Sequence, residues 1–159
     1  MSLLRGMVIV LGATLVACSS SSSQQENVMT AKEALSQVKE LVDATLDEVA
    51  SNAERTPEAV PGGTTCESSL GGPTGKRSYG YIFSFPVPDE ATGKQVLREA
   101  AKLWRQKAHQ VTGDLDDEYS PFIRTGEDGF NFMVTFARQT LRASVGGSTP
   151  CVDPLPGDV

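Results

Sequence analysis

The chain has 159 residues, with 14 lysines and arginines against 20 aspartates and glutamates, for a formal net charge of -6. That length supports one domain with a real core and leaves no room for two comfortable ones. The acidic balance has the wrong sign for a nucleic-acid backbone or for a polybasic module on lipid heads, so nucleic acid is excluded as a partner.

Near the start stands a positive residue, Arg5, followed by an uncharged, mostly apolar run from Met7 to Ala17. This run falls short of the roughly 20 residues that a bilayer core requires, but it has the length of a signal-peptide apolar region. It closes on Leu15-Val16-Ala17-Cys18. These four residues resemble the lipobox of bacterial lipoproteins. The resemblance implies a diacylglycerol on the Cys18 sulfur and removal of residues 1–17 as a signal peptide. The alternative is an ordinary secretory signal with an incidental cysteine, or a buried N-terminal helix. Two acyl chains give a stable anchor where one does not, at about 0.8 kcal/mol per buried methylene. The cut removes a single charge, Arg5, so the mature chain carries 13 basic and 20 acidic side chains, or -7. Such a charge is expected to hold the domain off an anionic surface.

Ser19 to Ser23 is an unbroken serine run, followed by Gln24, Gln25, Glu26 and Asn27. Residues 18–29 bury little apolar area and are expected to form a flexible tether spanning roughly 15–20 Å. Thr30-Ala31-Lys32-Glu33 has the form of a capping box. Leu35, Val38, Leu41, Val42, Leu46 and Val49 then repeat at helical spacing, which predicts an amphipathic helix from Ala31 to about Asn52. Residues 53–77, rich in proline and glycine, read as a long loop around Cys66, functional, disordered or pinned by a disulfide.

Tyr79, Tyr81, Phe83 and Phe85 alternate with Gly80, Ile82 and Ser84, which predicts a strand ended by Pro86 and Pro88. Asp89 to His109 reads as a second helix, with Val96, Leu97, Ala100, Leu103 and Trp104 on its buried face; Gly93 weakens its start. Val111 to Leu115 is a candidate edge strand. Pro121 to Thr125, then Phe130 to Phe136, predict a hairpin turning at Glu127-Asp128-Gly129. A further strand covers Leu141 to Val145. Two prolines in the 153–159 tail predict disorder there. The fold class expected is α+β: a two-layer sandwich in which an antiparallel sheet of about four strands packs on two helices, as one domain over residues 30–152.

With Cys18 assigned to the lipid, Cys66 and Cys151 remain, an even pair for an oxidising compartment. They are expected to form a disulfide, with two buried free thiols or half of a metal site as the alternatives. With one histidine in the chain, a zinc site is poorly supplied, and no metal or other cofactor is expected.

The layout of lipobox, serine tether, helix, strand near a cysteine, Trp-bearing helix and a final hairpin ending in Gly-Ser-Thr-Pro-Cys resembles the small lipoproteins of actinobacteria. The mycobacterial LppA-like proteins are among them. The resemblance implies a place on the outer leaflet of the cytoplasmic membrane and carries over no catalytic residue.

Candidate chemistry is sparse. His109, the lone histidine, ends a helix, where a cation is favourable without any catalytic role. Asp114-Leu115-Asp116-Asp117-Glu118 could gather calcium, but Tyr119 and Thr125 stand where an EF-hand needs glycine and glutamate. Gly62-Gly63 and Gly71-Gly72 lack the Gly-Lys-Ser/Thr of a phosphate loop. Tyr79, Tyr81 and Trp104 read as core, or as the lining of a groove for sugar or peptide.

The function expected is therefore that of a membrane-anchored extracytoplasmic lipoprotein acting as a non-enzymatic binding or scaffolding module. Its expected partners are the membrane, through Cys18, and an envelope or peptidoglycan-associated protein. The outward sheet face is expected to present Gly80, Ser84, Asn131, Thr135, Arg142 and Ser144 to solvent, and its two apolar residues, Ile82 and Met133, are expected to sit together on neighbouring strands and mark a contact patch. One alternative is an envelope hydrolase with two converging carboxylates. The other is a carrier of small apolar ligands.

Overall fold

The computed structural model describes residues 29–58 and 62–158. Cys18, the 1–17 segment and nearly all of the tether lie outside the described residues. Helix α1 spans Ala31–Val49 and α2 spans Glu90–Gln106; strands β1 to β8 span Thr56–Pro57, Thr64–Glu67, Pro73–Ser78, Gly80–Pro86, Thr112–Asp114, Phe122–Thr125, Asn131–Ala137 and Arg142–Ser148.

Local sequence explains where the helices start. Thr30 caps α1 through a reciprocal capping box with Glu33, which satisfies donors that a helix start leaves open. Asp89 caps α2, accepting from the Thr92 N–H at 2.7 Å. The hairpin between β6 and β7 turns at Asp128 and Gly129, with φ of 53° and 83°. The Phe130 N–H closes it on the Glu127 carbonyl at 2.9 Å, the pattern of a type I′ turn.

The main sheet has six strands in the order β1-β4-β8-β7-β6-β5, and β2 and β3 form a separate pair. The α+β class holds, with more strands than the four or so expected. The additional strands β1, β2 and β3 come from residues 53–77, expected to be a loop. Tertiary pairing makes them: Thr56 and Pro57 pair with Ser84 and Phe83 at the sheet edge, a position where proline costs no ladder bond.

Both helices cover one face of the sheet. Val38, Val42 and Leu46 of α1 and Leu97, Ala100 and Trp104 of α2 meet Phe85, Val134, Phe136 and Val145 in one core. Gly93 serves this packing, because a Cβ there would stand 2.5 Å from the Phe136 ring. The residue expected to weaken α2 is thus what lets the helix approach β7. A smaller cluster of Ala31, Ala34, Tyr79 and Val152 seals the end where α1 begins.

The Cys66 and Cys151 sulfurs are bonded, with Cα atoms 6.1 Å apart. The bridge ties the β2–β3 hairpin to the chain leaving β8, which also pairs with β3 through Arg77 and Val152. Residues 153–158 depart from the expected disorder. The Tyr79 hydroxyl donates to Asp158 Oδ2 at 3.0 Å and accepts from the Leu155 N–H at 2.7 Å. One buried tyrosine thus gives the tail the fixed partner that its prolines did not announce.

Candidate functional site

The sheet face away from the helices carries Ile82, Met133, Asn131, Thr135, Ser144, Gly146 and Ser148, which line a shallow groove of about 110 Å³. Period-two alternation puts them there: the aromatic and aliphatic residues of β4, β7 and β8 turn to the core, and small or polar residues turn outward. Gly146 organises the groove. Ile82 of β4 and Met133 of β7 are both its register partners, from opposite sides of β8. A Cβ on Gly146 would stand 2.7 Å from Ile82 Cγ1, so the missing side chain is what lets Ile82 lie down across the strand. Ile82 is half-buried by this contact, and Met133 remains 44% exposed.

Ile82 and Met133 were expected on neighbouring strands. They share a groove, but β8 separates their strands. Ser84, expected to be solvated on this face, is buried, and its hydroxyl accepts from Arg142 Nη2 at 2.7 Å. Sequence alternation finds the face and misses Gly146, because a glycine becomes a floor only once the order β4-β8-β7 is known.

The other candidates land elsewhere. Trp104 is 1% exposed and Tyr79 is buried, so neither lines an open groove with Tyr81. Tyr81 leans on α1, its hydroxyl donating to Asp43 Oδ1 at 3.1 Å. Burial and the Asp43 carboxylate push that phenol above its ordinary range. In the acidic turn, Asp117 accepts from the Tyr119 and Ser120 N–H groups, and Asp114 from that of Asp116. Those carboxylates hold the loop's own backbone. Among the described residues no three His, Cys, Asp or Glu side chains come together as metal ligands would. His109 lies beside an open cleft with Gln37, Glu40, Lys107, Phe130 and Phe132.

Among the described residues four carboxyls are displaced from their ordinary range, all downward. The Thr30 backbone N–H holds Glu33 low, the Thr92 N–H holds Asp89 low, and the Ser120 N–H holds Asp117 low. Lys94, with Arg138 behind it, holds Glu90 low. Each is stabilised as an anion by a cap, a turn or an ion pair. A general acid needs the opposite shift.

A second cleft, of about 400 Å³, opens between α2 and β5, with Ala101, Val111 and Ile123 among its lining and Arg98 and Arg105 beside them.

No protein-family model matches the chain, and no curated protein matches it in sequence. Among solved structures, it is similar to the crystal structure of LppA, a candidate lipoprotein of Mycobacterium tuberculosis. The TM-score is 0.51 at 11% identity, covering 82% of this chain and 81% of that one. At that identity the likeness is one of fold.

Proposed function

We propose that the protein is a lipid-anchored module of the bacterial envelope, tethered through Cys18 on the extracytoplasmic face, and that the outward sheet face is its contact surface. The observation that carries the contact surface is the groove over Gly146. It offers two apolar side chains, Ile82 and Met133, among serine, threonine and asparagine groups that can pair with a partner's backbone. Small side chains lose little rotamer freedom when covered, so a partner can dock there at low entropic cost. The lipobox supports the address, and so does the fold likeness to a protein described as a lipoprotein. Among the described residues no helix is long and apolar enough to cross a membrane. The partner fitted to this groove is an envelope or peptidoglycan-associated protein.

The test is site-specific photocrosslinking in intact membranes. A photoreactive residue at Met133 gives a discrete adduct, whereas the same residue at Tyr119, 63% exposed at the far end of the sheet, gives none. Absence of an adduct at Met133, or identical products from both sites, overturns the reading.

The cleft between α2 and β5 favours a second reading, a carrier. Its apolar lining beside two guanidinium groups suits an amphiphile with an anionic head. Titration with a long-chain fatty acid tests this. Binding lost in an Arg98→Ala, Arg105→Ala variant supports the carrier, and no binding rejects it.

A further inference from the structure

A single exposed leucine is ordinary on a protein surface, but the place and setting of Leu70 set it apart. Leu70 stands at the tip of the β2–β3 hairpin and is 96% exposed. Beside it Gly71, at φ +82°, has nothing within 4 Å of where a Cβ would stand. The tip is held in shape nonetheless. The Ser68 N–H donates to the Gly72 carbonyl at 2.7 Å, and the Gly71 N–H to the Ser68 carbonyl at 2.9 Å. The disulfide from Cys66, four positions before Leu70, ties the hairpin to the body close to its tip.

The direction of the hairpin follows from its neighbours. Helix α1 runs the same way as β4: Ala31 and Ala34 cluster with Tyr79, Tyr81 bonds Asp43 farther along, and Ala50 shares a cleft with Phe85. Strand β3 enters β4 through Tyr79 alone and stays paired with the chain beyond β8 at Val152. It therefore continues past the end of the sheet at which α1 begins, and Leu70 lies farther out on that side. The tether leaves from this same end. Cys18 precedes Met29 by eleven positions, a reach of at most about 40 Å. A lipid on Cys18 therefore lets the α1 start and the hairpin face the bilayer within contact distance.

Charge agrees with that orientation. Residues 68–75 carry no charge, and the hairpin from Thr64 to Ser78 sets Lys76 and Arg77 against Glu67, for +1 within a chain of -6, the acidic Asp153 and Asp158 of the tail standing at its base and away from the tip. The acidic body is repelled by an anionic leaflet, while the finger is not.

We propose that the β2–β3 hairpin is a membrane-contacting finger, with Leu70 entering the boundary between headgroups and acyl chains of an anionic phospholipid leaflet and Lys76 at the phosphates. This rests on the lipid anchor at Cys18. The acyl chains supply the affinity, and the finger sets the orientation. Strands then point away from the leaflet, and the outward sheet face stays open from the side.

Brominated lipid tests the contact. The full chain, purified from membranes with its lipid, is reconstituted in vesicles of phosphatidylglycerol with brominated acyl chains, as a Leu70→Trp or a Tyr119→Trp variant. Trp104, 1% exposed, supplies a constant background. Flotation reads the anchor and fluorescence reads the finger. The expected result is that both variants float, that emission from position 70 is blue-shifted and quenched, and that emission from position 119 is neither. Adding Lys76→Glu to the Leu70→Trp variant reduces the quenching. Flotation without quenching at position 70, or equal quenching at both positions, overturns the finger and leaves the anchor standing. Failure of both to float overturns the anchor and the finger with it.

Discussion

Trp104 Nε1 donates a 2.8 Å hydrogen bond to Thr45 Oγ1 in the centre of the helical layer. Thr45 in turn donates to the Leu41 carbonyl at 2.7 Å, so the one indole of the chain is satisfied by a hydroxyl from the other helix. Both side chains are buried, and an indole N–H left unpaired there costs about 1–3 kcal/mol. Thr45→Val keeps the shape and removes the acceptor. Urea unfolding should show a loss in that range; a variant as stable as the parent would mean that the bond carries nothing.

The contact between Gly93 and Phe136 predicts a reversal of helix propensity. Alanine is favoured over glycine within a helix by about 1 kcal/mol. Here the added methyl would stand 2.5 Å from the Phe136 ring, and overpacking of that kind costs about 1–3 kcal/mol. Gly93→Ala should therefore destabilise the domain, and Phe136→Leu in the same chain should recover part of the loss. Additive losses in the double variant would disprove the clash.

The disulfide spans 85 positions. In the chain-entropy account, a loop of that length contributes about 4–5 kcal/mol. Cys66→Ser with Cys151→Ser should lower the urea midpoint sharply. It should also expose the hairpin to proteolysis near Leu70 before the sheet is cut.

The depressed carboxyls of Glu33, Asp89 and Asp117 set the response to acid. Their folded values lie below their unfolded ones, so their stabilisation is complete above the ordinary carboxylate range and is lost as pH falls through the folded values. The urea midpoint should hold down to about pH 5 and drop below it, through and under the ordinary carboxylate range. Asp89→Asn retains a side chain that caps α2 without its titration. The drop should be smaller in that variant, and an unchanged drop would remove Asp89 from the account.

The parts of this fold legible in the sequence are those whose side chains repeat with the period of their own element. Val38, Leu41, Val42 and Leu46 on α1 and the alternation of Phe132, Val134 and Phe136 on β7 are all in the core. The capping box at Thr30 and the turn at Asp128-Gly129 are local chemistry, and both stand where their residues put them. Strands β1 to β3 have no such period. Partners far along the chain make them: Ser84 for β1, Cys151 and Val152 for the hairpin. The tail is ordered by Tyr79 for the same reason. At the groove, Ile82 and Met133 were visible as apolar residues on a polar face, while the floor between them needed the strand order. Leu70 did carry a signal, as a lone large apolar side chain in a run of serine and glycine.

Anchor, contact face and finger all depend on the lipid at Cys18, and the mass of the N-terminal peptide reads it out. Protein purified from membranes is digested, and the peptide that begins the mature chain is measured intact. The expected peptide starts at Cys18 and is heavier by a diacylglyceryl group, with residues 1–17 absent. An unmodified Cys18, or a peptide still joined to Ala17, would overturn the lipid anchor.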